Sequence, residues 1–404
     1  MKHPDWFVSP ERGVYDGWFV VLASFLGTVA VFGVSYSFSV FFTRLLNEFS
    51  RSGGSTSLVF ALQTFVMCSG AAVFAEVFDR ISVVRTWILG TTLFGVGLLG
   101  ASFSNSLFML TLSYGVVAAL GMSFIYVVSS TTITRWFAGR RAFASGLASS
   151  GIGVGMLGIS PLSRHLIAVE GWRKAYLVIV VLVLVLLLIG GLLLKHTGRA
   201  PTDKTRTTSQ NKWRTIWPVV KSPPFVLIFC GWLLIYVPVY AALAHLVPFV
   251  ASQPSLTAST GAWALGAFGV SASLTRLLIG PLADRVGRME LFVAASGLAS
   301  ITIAFLPVVS DTLGVGIFAA TFGIAYGGNG ALLAPVLADQ YGTNDIDGLF
   351  AVVSISFAIA GLVAPPLTSI LQAEIGSYWI PFTGGGVLGC IGAGLSYFGF
   401  DIDE

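Results

Sequence analysis

Arg276 is the residue whose setting most directly suggests chemistry. It is the single charged residue in the apolar stretch 261–283, which is long enough to cross a membrane as a helix. Asp284 follows eight residues later, so at ~1.5 Å per residue Arg276 lies roughly 12 Å inside the polar end of that helix. A charge at that depth costs on the order of 3 kcal/mol. We therefore expect the guanidinium to face protein or water and to bind an anion.

The composition requires lipid around most of the chain. Of the 404 residues, 55% are hydrophobic and only 10% are charged, too few to cover a globular surface. The net charge of +4 comes from Lys and Arg in short loops beside apolar runs, so no nucleic-acid partner is expected. The three cysteines lie far apart within apolar stretches, without metal-like spacing. We expect them to be small buried residues, and we expect neither a metal site nor a cofactor.

Hydropathy divides the chain into two sets of six membrane spans. One long polar segment separates the sets and defines an N-terminal half (1–194), a cytoplasmic central loop (195–223) and a C-terminal half (224–404). The predicted spans are 17–42, 57–78, 86–103, 107–134, 142–167, 174–194, 224–250, 260–283, 291–309, 312–337, 348–372 and 379–400. The prediction is an all-α membrane protein with 12 transmembrane helices.

The two halves resemble each other. Asp79-Arg80 follows the second span, and Asp284-Arg285 follows the eighth, 205 residues later. An even number of spans per half means that both halves insert in the same direction. They are then parallel and pseudo-symmetric about an axis along the membrane normal, which is typical of transporters with a site at the interface of the halves.

The distribution of positive charge predicts the orientation. With the amino terminus inside, most of the 22 Lys and Arg residues lie on the cytoplasmic side, including the seven of the central segment. Positive charge is concentrated on the cytoplasmic side of membrane proteins. We therefore predict a multi-pass protein of the plasma or inner membrane with both termini in the cytoplasm.

The loop after the eighth span carries a recognisable motif. The run Gly280-Pro-Leu-Ala-Asp-Arg-Val-Gly-Arg288 resembles the cytoplasmic loop motif of the major facilitator superfamily, Gly-x-x-x-Asp-Arg-x-Gly-Arg. Asp284, Arg285 and Arg288 are expected to form a latch that holds one face shut until the halves rock.

The first-half copy of this motif departs from the pattern. Asp79 and Arg80 are present, but Ala75 and Ser82 replace its two glycines. We assign these two charged residues to a first-half latch on the basis of the acidic-basic pair alone.

Two further stretches narrow the resemblance. Tyr15-Asp16-Gly17-Trp18 opens the first span, and the run from Arg135 to Gly146 leads into the fifth. Together they are similar to the paired signatures of the monocarboxylate transporter family and of its microbial relatives, the oxalate/formate antiporters. The signature residues are Asp16, Gly17, Arg140 and Arg141. The resemblance covers essentially the whole chain.

This resemblance implies a role for Arg276, which matches the arginine of the eighth span that binds substrate carboxylate in the family. Other charges of the family are absent here. Ala272 stands where animal monocarboxylate transporters carry Asp. Residues 36–42 lack the first-span lysine of those transporters, and residues 349–370 lack the eleventh-span lysine of the oxalate-type antiporters. The site is therefore expected to hold one fixed positive charge.

One arginine matches one carboxylate bidentately, whereas the second charge of a dianion would stay unpaired in a low dielectric. We therefore predict a secondary active transporter, not an enzyme, that carries a small organic monoanion together with a proton or in exchange for another anion. The alternatives are an oxalate/formate-type dicarboxylate antiporter and an efflux pump for lipophilic compounds. A membrane-embedded sensor is disfavoured because the longest polar segment spans only 195–223.

The resemblance to the major facilitator superfamily implies that spans 1, 4, 7 and 10 line the central cavity, so polar residues on these spans are candidates for substrate contact. Aromatic rings could form the walls of the site, and hydroxyl and amide groups could donate hydrogen bonds. The alternative is that each of them only packs. The candidates are Tyr36, Tyr126, Tyr240, Tyr326 and Asn329.

Two further polar residues lie within predicted spans. His245 in the seventh could titrate during proton coupling, although a satisfied interfacial histidine is the favoured interpretation. Gln63 in the second could bind substrate, although a hydrogen bond to a neighbouring helix is favoured.

Overall fold

The computed structural model describes residues 16–49, 53–73, 81–137, 141–197, 212–342 and 346–401, which form a bundle of long helices. Each of the twelve predicted spans corresponds to one helical segment. The first six are α1 (Gly17–Phe49), α2 (Gly53–Val73), α3 (Val83–Ser102), α4 (Leu107–Leu110, Thr111–Ala118 and Ala119–Trp136), α5 (Arg141–Ser149 and Gly151–Glu170) and α6 (Trp172–Thr197). The last six are α7 (Pro223–Ser252), α8 (Ala258–Val286), α9 (Arg288–Ala304), α10 (Thr312–Tyr341), α11 (Ile346–Ile375) and α12 (Trp379–Asp401).

The predicted fold class is confirmed. Among the described residues, ten helices are long and apolar enough to cross a membrane, namely all of the twelve except α2 and α12. The protein is therefore a multi-pass membrane protein. The segment predicted as a central loop differs in part, because Lys212–Val220 is a short helix. Its buried Ile216 packs against Gly348 near the start of α11, and this contact helps to hold the short helix against the bundle.

Successive helices run in opposite directions, which gives the bundle two ends. We call the end where α1 ends and α2 begins the distal end, and the opposite end the proximal end. Helices α8 and α10 begin at the distal end with side-chain caps, since Thr257 Oγ1 accepts from the amide of Thr260 (3.3 Å) and Asp311 Oδ1 from that of Gly314 (2.6 Å). These caps satisfy amides that have no partner within the helix.

Helix α4 is irregular near its distal end. Residues Thr111–Ala118 form a π-helical segment between two α-helical parts. In a π-helix each hydrogen-bonded turn encloses one residue more than in an α-helix. Tyr114 lies in this segment, is fully buried, and donates its hydroxyl to the carbonyl oxygen of Val34 on α1 (3.1 Å).

Helices α5 and α8 cross closely at the interface of the two halves. A β-carbon on Gly269 would lie 2.9 Å from the Cα of Gly153, so the backbones touch where neither residue has a side chain. Ser273 on α8 fixes the crossing, because its hydroxyl donates to the carbonyl of Ser150 (2.9 Å) and accepts from the amide of Gly153 (3.2 Å).

Candidate functional site

The guanidinium of Arg276 lies in the middle of the bundle, where α8 faces α10. Its Cζ lies 5.4 Å from the ring centre of Tyr326, within the range of a cation–π contact. Gly330, one turn beyond Tyr326, leaves the space that the guanidinium occupies, since a β-carbon there would lie 2.9 Å from Nη2. The ring and the glycine together set the direction of the Arg276 side chain.

Beyond its contact with the Tyr326 ring, the Arg276 side chain has no acceptor within the described ranges. It forms no hydrogen bond or ion pair with any residue there, and its Nε is buried without an acceptor. A buried donor or charge without a partner costs free energy, and an anion that bound there would relieve this cost. The group therefore has the properties of an anion-binding cation.

Tyr36 and Tyr326 join the halves at the level of Arg276. Their hydroxyl oxygens are 2.8 Å apart, and both side chains are buried. Because the Tyr326 ring also contacts Arg276, the predicted Tyr36 lies close to the guanidinium. The structure thus brings together three of the sequence-predicted site residues.

Tyr126 lies on the same side of the site. Its ring meets Phe32 edge-on at 5.3 Å, and Phe32 in turn lies 5.6 Å from the Tyr36 ring. Tyr126 is half-buried, whereas Ser130, one turn nearer the proximal end on the same face of α4, is exposed. Phe32 was not predicted, although its position one turn before Tyr36 on α1 could have revealed it.

Tyr240 lies further from the guanidinium, between α2 and α11. Its hydroxyl is 3.8 Å from the sulfur of Cys68, and its ring centre is 5.9 Å from that of Tyr236. Tyr236, one turn earlier on α7, was not predicted. Its spacing from Tyr240 places the two on one helix face and was an available signal.

The amide of Asn329 is engaged by other protein groups. Its Oδ1 accepts from the Tyr236 hydroxyl, and its Nδ2 donates to Ser296 Oγ, both at 2.7 Å. These bonds connect α7, α9 and α10 within the C-terminal half. The geometry therefore gives Asn329 a packing role, and substrate contact by this residue stays a prediction.

Gln63 bonds to neighbouring helices, as the favoured interpretation expected. Its Oε1 accepts from Ser35 on α1 (2.9 Å), and its Nε2 lies 3.3 Å from the sulfur of Met122 on α4. The side chain is fully buried within the N-terminal half.

Two serines lie in the range 349–370, which lacks the lysine of the family, and both of them form hydrogen bonds within their own helix. Ser354 donates to the carbonyl of Phe350 (2.7 Å) and Ser356 to that of Val353 (2.6 Å), both within α11. Within the described ranges no group of three His, Cys, Asp or Glu side chains is placed to hold a metal ion.

The predicted latch residues of the C-terminal half form an exposed ion-pair network at the proximal end. Arg288 at the start of α9 contacts Asp339 on α10 (2.8 Å) and Asp284 on α8 (3.3 Å). All of these residues belong to the C-terminal half. Arg285 is exposed beside them.

The predicted residues of the N-terminal half fall partly outside and partly within the described ranges. Asp79, Arg80 and Arg140 lie outside the described residues, and Arg141 is described only as the first residue of its helix. Asp16 precedes α1, and its carbonyl accepts from the amide of Phe19 (3.1 Å), while Gly17 is the first helical residue.

Hydrogen bonds close the distal end between the halves. Ser39 on α1 accepts from the amide of Val247 on α7 (3.1 Å), and Ser369 on α11 donates to Ser57 on α2 (3.0 Å). His245 contacts the same Ser369 hydroxyl, since its Nε2 lies 3.3 Å from Ser369 Oγ. We call Ser39, Ser57, His245 and Ser369 the distal gate. It separates the central site from the distal end.

The arrangement is suited to reversible anion binding, because a cation without an acceptor among the described residues lies beside aromatic rings and hydroxyl groups. The Major Facilitator Superfamily model matches residues 24–365 and again 239–403. The chain is 26% identical over 382 residues to monocarboxylate transporter 13 of Rattus norvegicus, which covers 94% of this chain and 88% of the relative. It is 24% identical over 441 residues to monocarboxylate transporter 1 of Homo sapiens, which covers 99% and 87% respectively. Since the family model matches most of the sequence, the chain belongs to the Major Facilitator Superfamily.

Proposed function

We propose that this protein is a secondary active transporter of a small organic monoanion, and that Arg276 binds the carboxylate. The observation that carries the proposal is the Arg276 guanidinium, which has no hydrogen-bond or ion-pair acceptor within the described ranges and is oriented by Tyr326 and Gly330. The similarity to proteins named monocarboxylate transporters supports the same substrate class.

The charge count favours a monoanion over a dianion. A single guanidinium can pair with one carboxylate through two parallel hydrogen bonds. The second carboxylate of oxalate would then lie beside the aromatic rings of the site, where the Tyr36 and Tyr326 hydroxyls already share a hydrogen bond. An unpaired buried charge is costly, so a dicarboxylate should bind more weakly.

We further propose that the two halves, residues 1–194 and 224–404, rock about the central site. In this scheme the proximal end is cytoplasmic, as are both termini, and the membrane is the plasma or inner membrane. The exposed pairs of Arg288 with Asp284 and Asp339 serve as the latch of the C-terminal half. A proton or an exchanged anion supplies the driving force.

Counterflow in proteoliposomes tests the proposal. Vesicles are loaded in turn with lactate, formate, acetate, oxalate or succinate, and uptake of the labelled compound is followed. We expect exchange of monoanions by the wild type and its loss in Arg276→Ala, with partial recovery at most in Arg276→Lys, which keeps the charge but not the planar fork.

Arg85→Ala is the matched control, because it removes an exposed guanidinium at the start of α3. It should exchange substrate as the wild type does. Undiminished exchange in Arg276→Ala would refute the role of this arginine. Rapid exchange of oxalate with no exchange of monoanions would support the dicarboxylate alternative instead.

A further inference from the structure

His245 is a buried histidine that anion binding at Arg276 does not use. It is 1% exposed and lies on α7 in the distal gate. Its Nε2 lies 3.0 Å from the carbonyl oxygen of Pro365 and 3.3 Å from Ser369 Oγ. Its ring is edge-on to Phe42 of α1, across the interface of the halves, at 5.1 Å.

The hydrogen bonds around the ring determine which nitrogen carries the proton. Ser369 donates its hydroxyl to Ser57, and Ser57 donates to the carbonyl of Gly53 (2.9 Å). Ser369 therefore faces His245 as an acceptor, and the carbonyl of Pro365 can only accept. Nε2 must be the N–H donor, which leaves Nδ1 as the unprotonated nitrogen. Nδ1 is buried and has no hydrogen-bond partner among the described residues.

A cavity borders the His245 side chain at the distal end, although the closed gate leaves the residue only 1% exposed. This cavity of about 620 Å³ lies at the distal end between the halves, and its walls include His245, Phe42, Asn47, Gly53, Ser369 and Tyr378. No residue that lines this cavity in the described part of the chain carries a formal charge.

In the described part of the chain, no opposite charge faces the ring from the elements packed against it. Among described residues, α1 contributes Phe42, α2 reaches it through Ser57, α11 contributes Ser369, and the segment before α12 contributes Tyr378, whose ring centre lies 5.9 Å away. Tyr378 is the one titratable group of this set, and it is neutral near pH 7.

We propose that His245 is a proton-binding site that controls the distal gate, and that a proton bound at Nδ1 favours separation of the halves at that end. In the closed gate a second N–H would lack an acceptor, and the imidazolium would lack a counter-charge. Separation of Ser57 from Ser369 and of Phe42 from the ring would admit water to both nitrogens. The proton therefore binds the open gate better than the closed one, and acid shifts the population towards the open gate.

Proton binding at His245 is a different process from the co-transport of a proton with the substrate. The gate closes again once the proton has left, so the proton returns to the side from which it came. A hydrated imidazole titrates near pH 6.5. If only the open gate binds the proton, a fall from about pH 7.5 to about pH 5.5 should raise the ratio of open to closed gate by about tenfold.

Distance measurements between spin labels test this without any substrate, so the result is independent of the proposed function. The labels are placed by Ala168→Cys on α5 and Leu313→Cys on α10, both exposed at the distal end, with the three native cysteines replaced by serine. Electron–electron double resonance in lipid nanodiscs then gives the long- and short-distance populations at the two pH values.

We expect the long-distance population to grow about tenfold relative to the short one on acidification. His245→Gln keeps a donor for Pro365 but cannot bind the proton, and should remove most of this shift; His245→Asn serves if the glutamine variant does not fold. His165→Gln, which removes an exposed distal histidine, should keep the shift. A wild type without a pH response, or an unchanged response in both His245 variants, would overturn the proposal.

Discussion

At the scale of single residues, the Arg276 guanidinium lacks an acceptor among the described residues, and its direction is fixed by its neighbours. The Tyr326 ring supports the guanidinium on one side, and Gly330 leaves room for it on α10. The Tyr326 hydroxyl is held in turn by Tyr36 from the other half. A change at Tyr326 should therefore affect anion binding even though no charge is altered.

The two functions of Tyr326, ring contact and hydrogen bond, can be separated by substitution. Tyr326→Phe keeps the ring under Arg276, whereas Tyr326→Ala removes it. Since a cation–π contact contributes about 0.5–2 kcal/mol, we expect substrate affinity to fall about 2- to 30-fold more in Tyr326→Ala than in Tyr326→Phe. The concentration for half-maximal counterflow measures this, and equal values for the two variants would contradict a role for the ring.

At the scale of helices, hydropathy located the twelve helices because a membrane span needs about 20 apolar residues. The helices extend beyond the predicted spans where their ends leave the apolar region, as α1 does by continuing to Phe49. Sequence reasoning could also find Arg276, because a lone charge in an apolar run stands out.

The same reasoning missed contacts that depend on how helices pack. The bonds of Asn329 to Tyr236 and Ser296 join three helices, and their partners are 93 and 33 residues away in the chain. The bond from Ser369 to Ser57 likewise joins residues 312 positions apart. A period of hydrophobicity shows which face of a helix is buried but not which neighbour it meets.

The α5–α8 crossing gives a stability prediction with an internal control. In Gly153→Ala the new methyl group would overlap the backbone of Gly269, so we expect a loss of about 1–3 kcal/mol in stability and a lower melting temperature in detergent. Gly158→Ala on the same helix meets no atom within 4 Å and should be neutral or stabilising. Equal melting temperatures for the two variants would contradict the prediction and would show that α5 and α8 can move apart at little cost in stability.

At the scale of the whole molecule, the described contacts hold the halves together at the distal end and at the centre. Ser57 and Ser369 join α2 to α11, and Tyr36 and Tyr326 join α1 to α10. Transport by alternating access requires the distal contacts to separate in each cycle. The state described here is therefore one of two that the proposed cycle needs.

A reversible crosslink across the distal gate tests this requirement. The hydroxyl oxygens of Ser57 and Ser369 are 3.0 Å apart, so Ser57→Cys with Ser369→Cys should form a disulfide on oxidation. We expect oxidation to stop counterflow and reduction to restore it, because the halves can no longer part. Ser57→Cys alone should be insensitive to the oxidant. Full counterflow in the crosslinked protein would show that this contact does not open.

The π-helical segment of α4 has a consequence for the direction of Tyr126. Each residue of an α-helix advances the side-chain direction by roughly 100°. The wider turns of Thr111–Ala118 therefore determine the direction in which each later side chain of α4 points. These side chains include Tyr126 and Ser130, which share one face. Tyr114 anchors this segment to α1 through Val34. Tyr126 thus points towards Phe32 partly because of a backbone irregularity that begins fifteen residues earlier. The rotation of the rest of α4 about its own axis is therefore determined near its distal end.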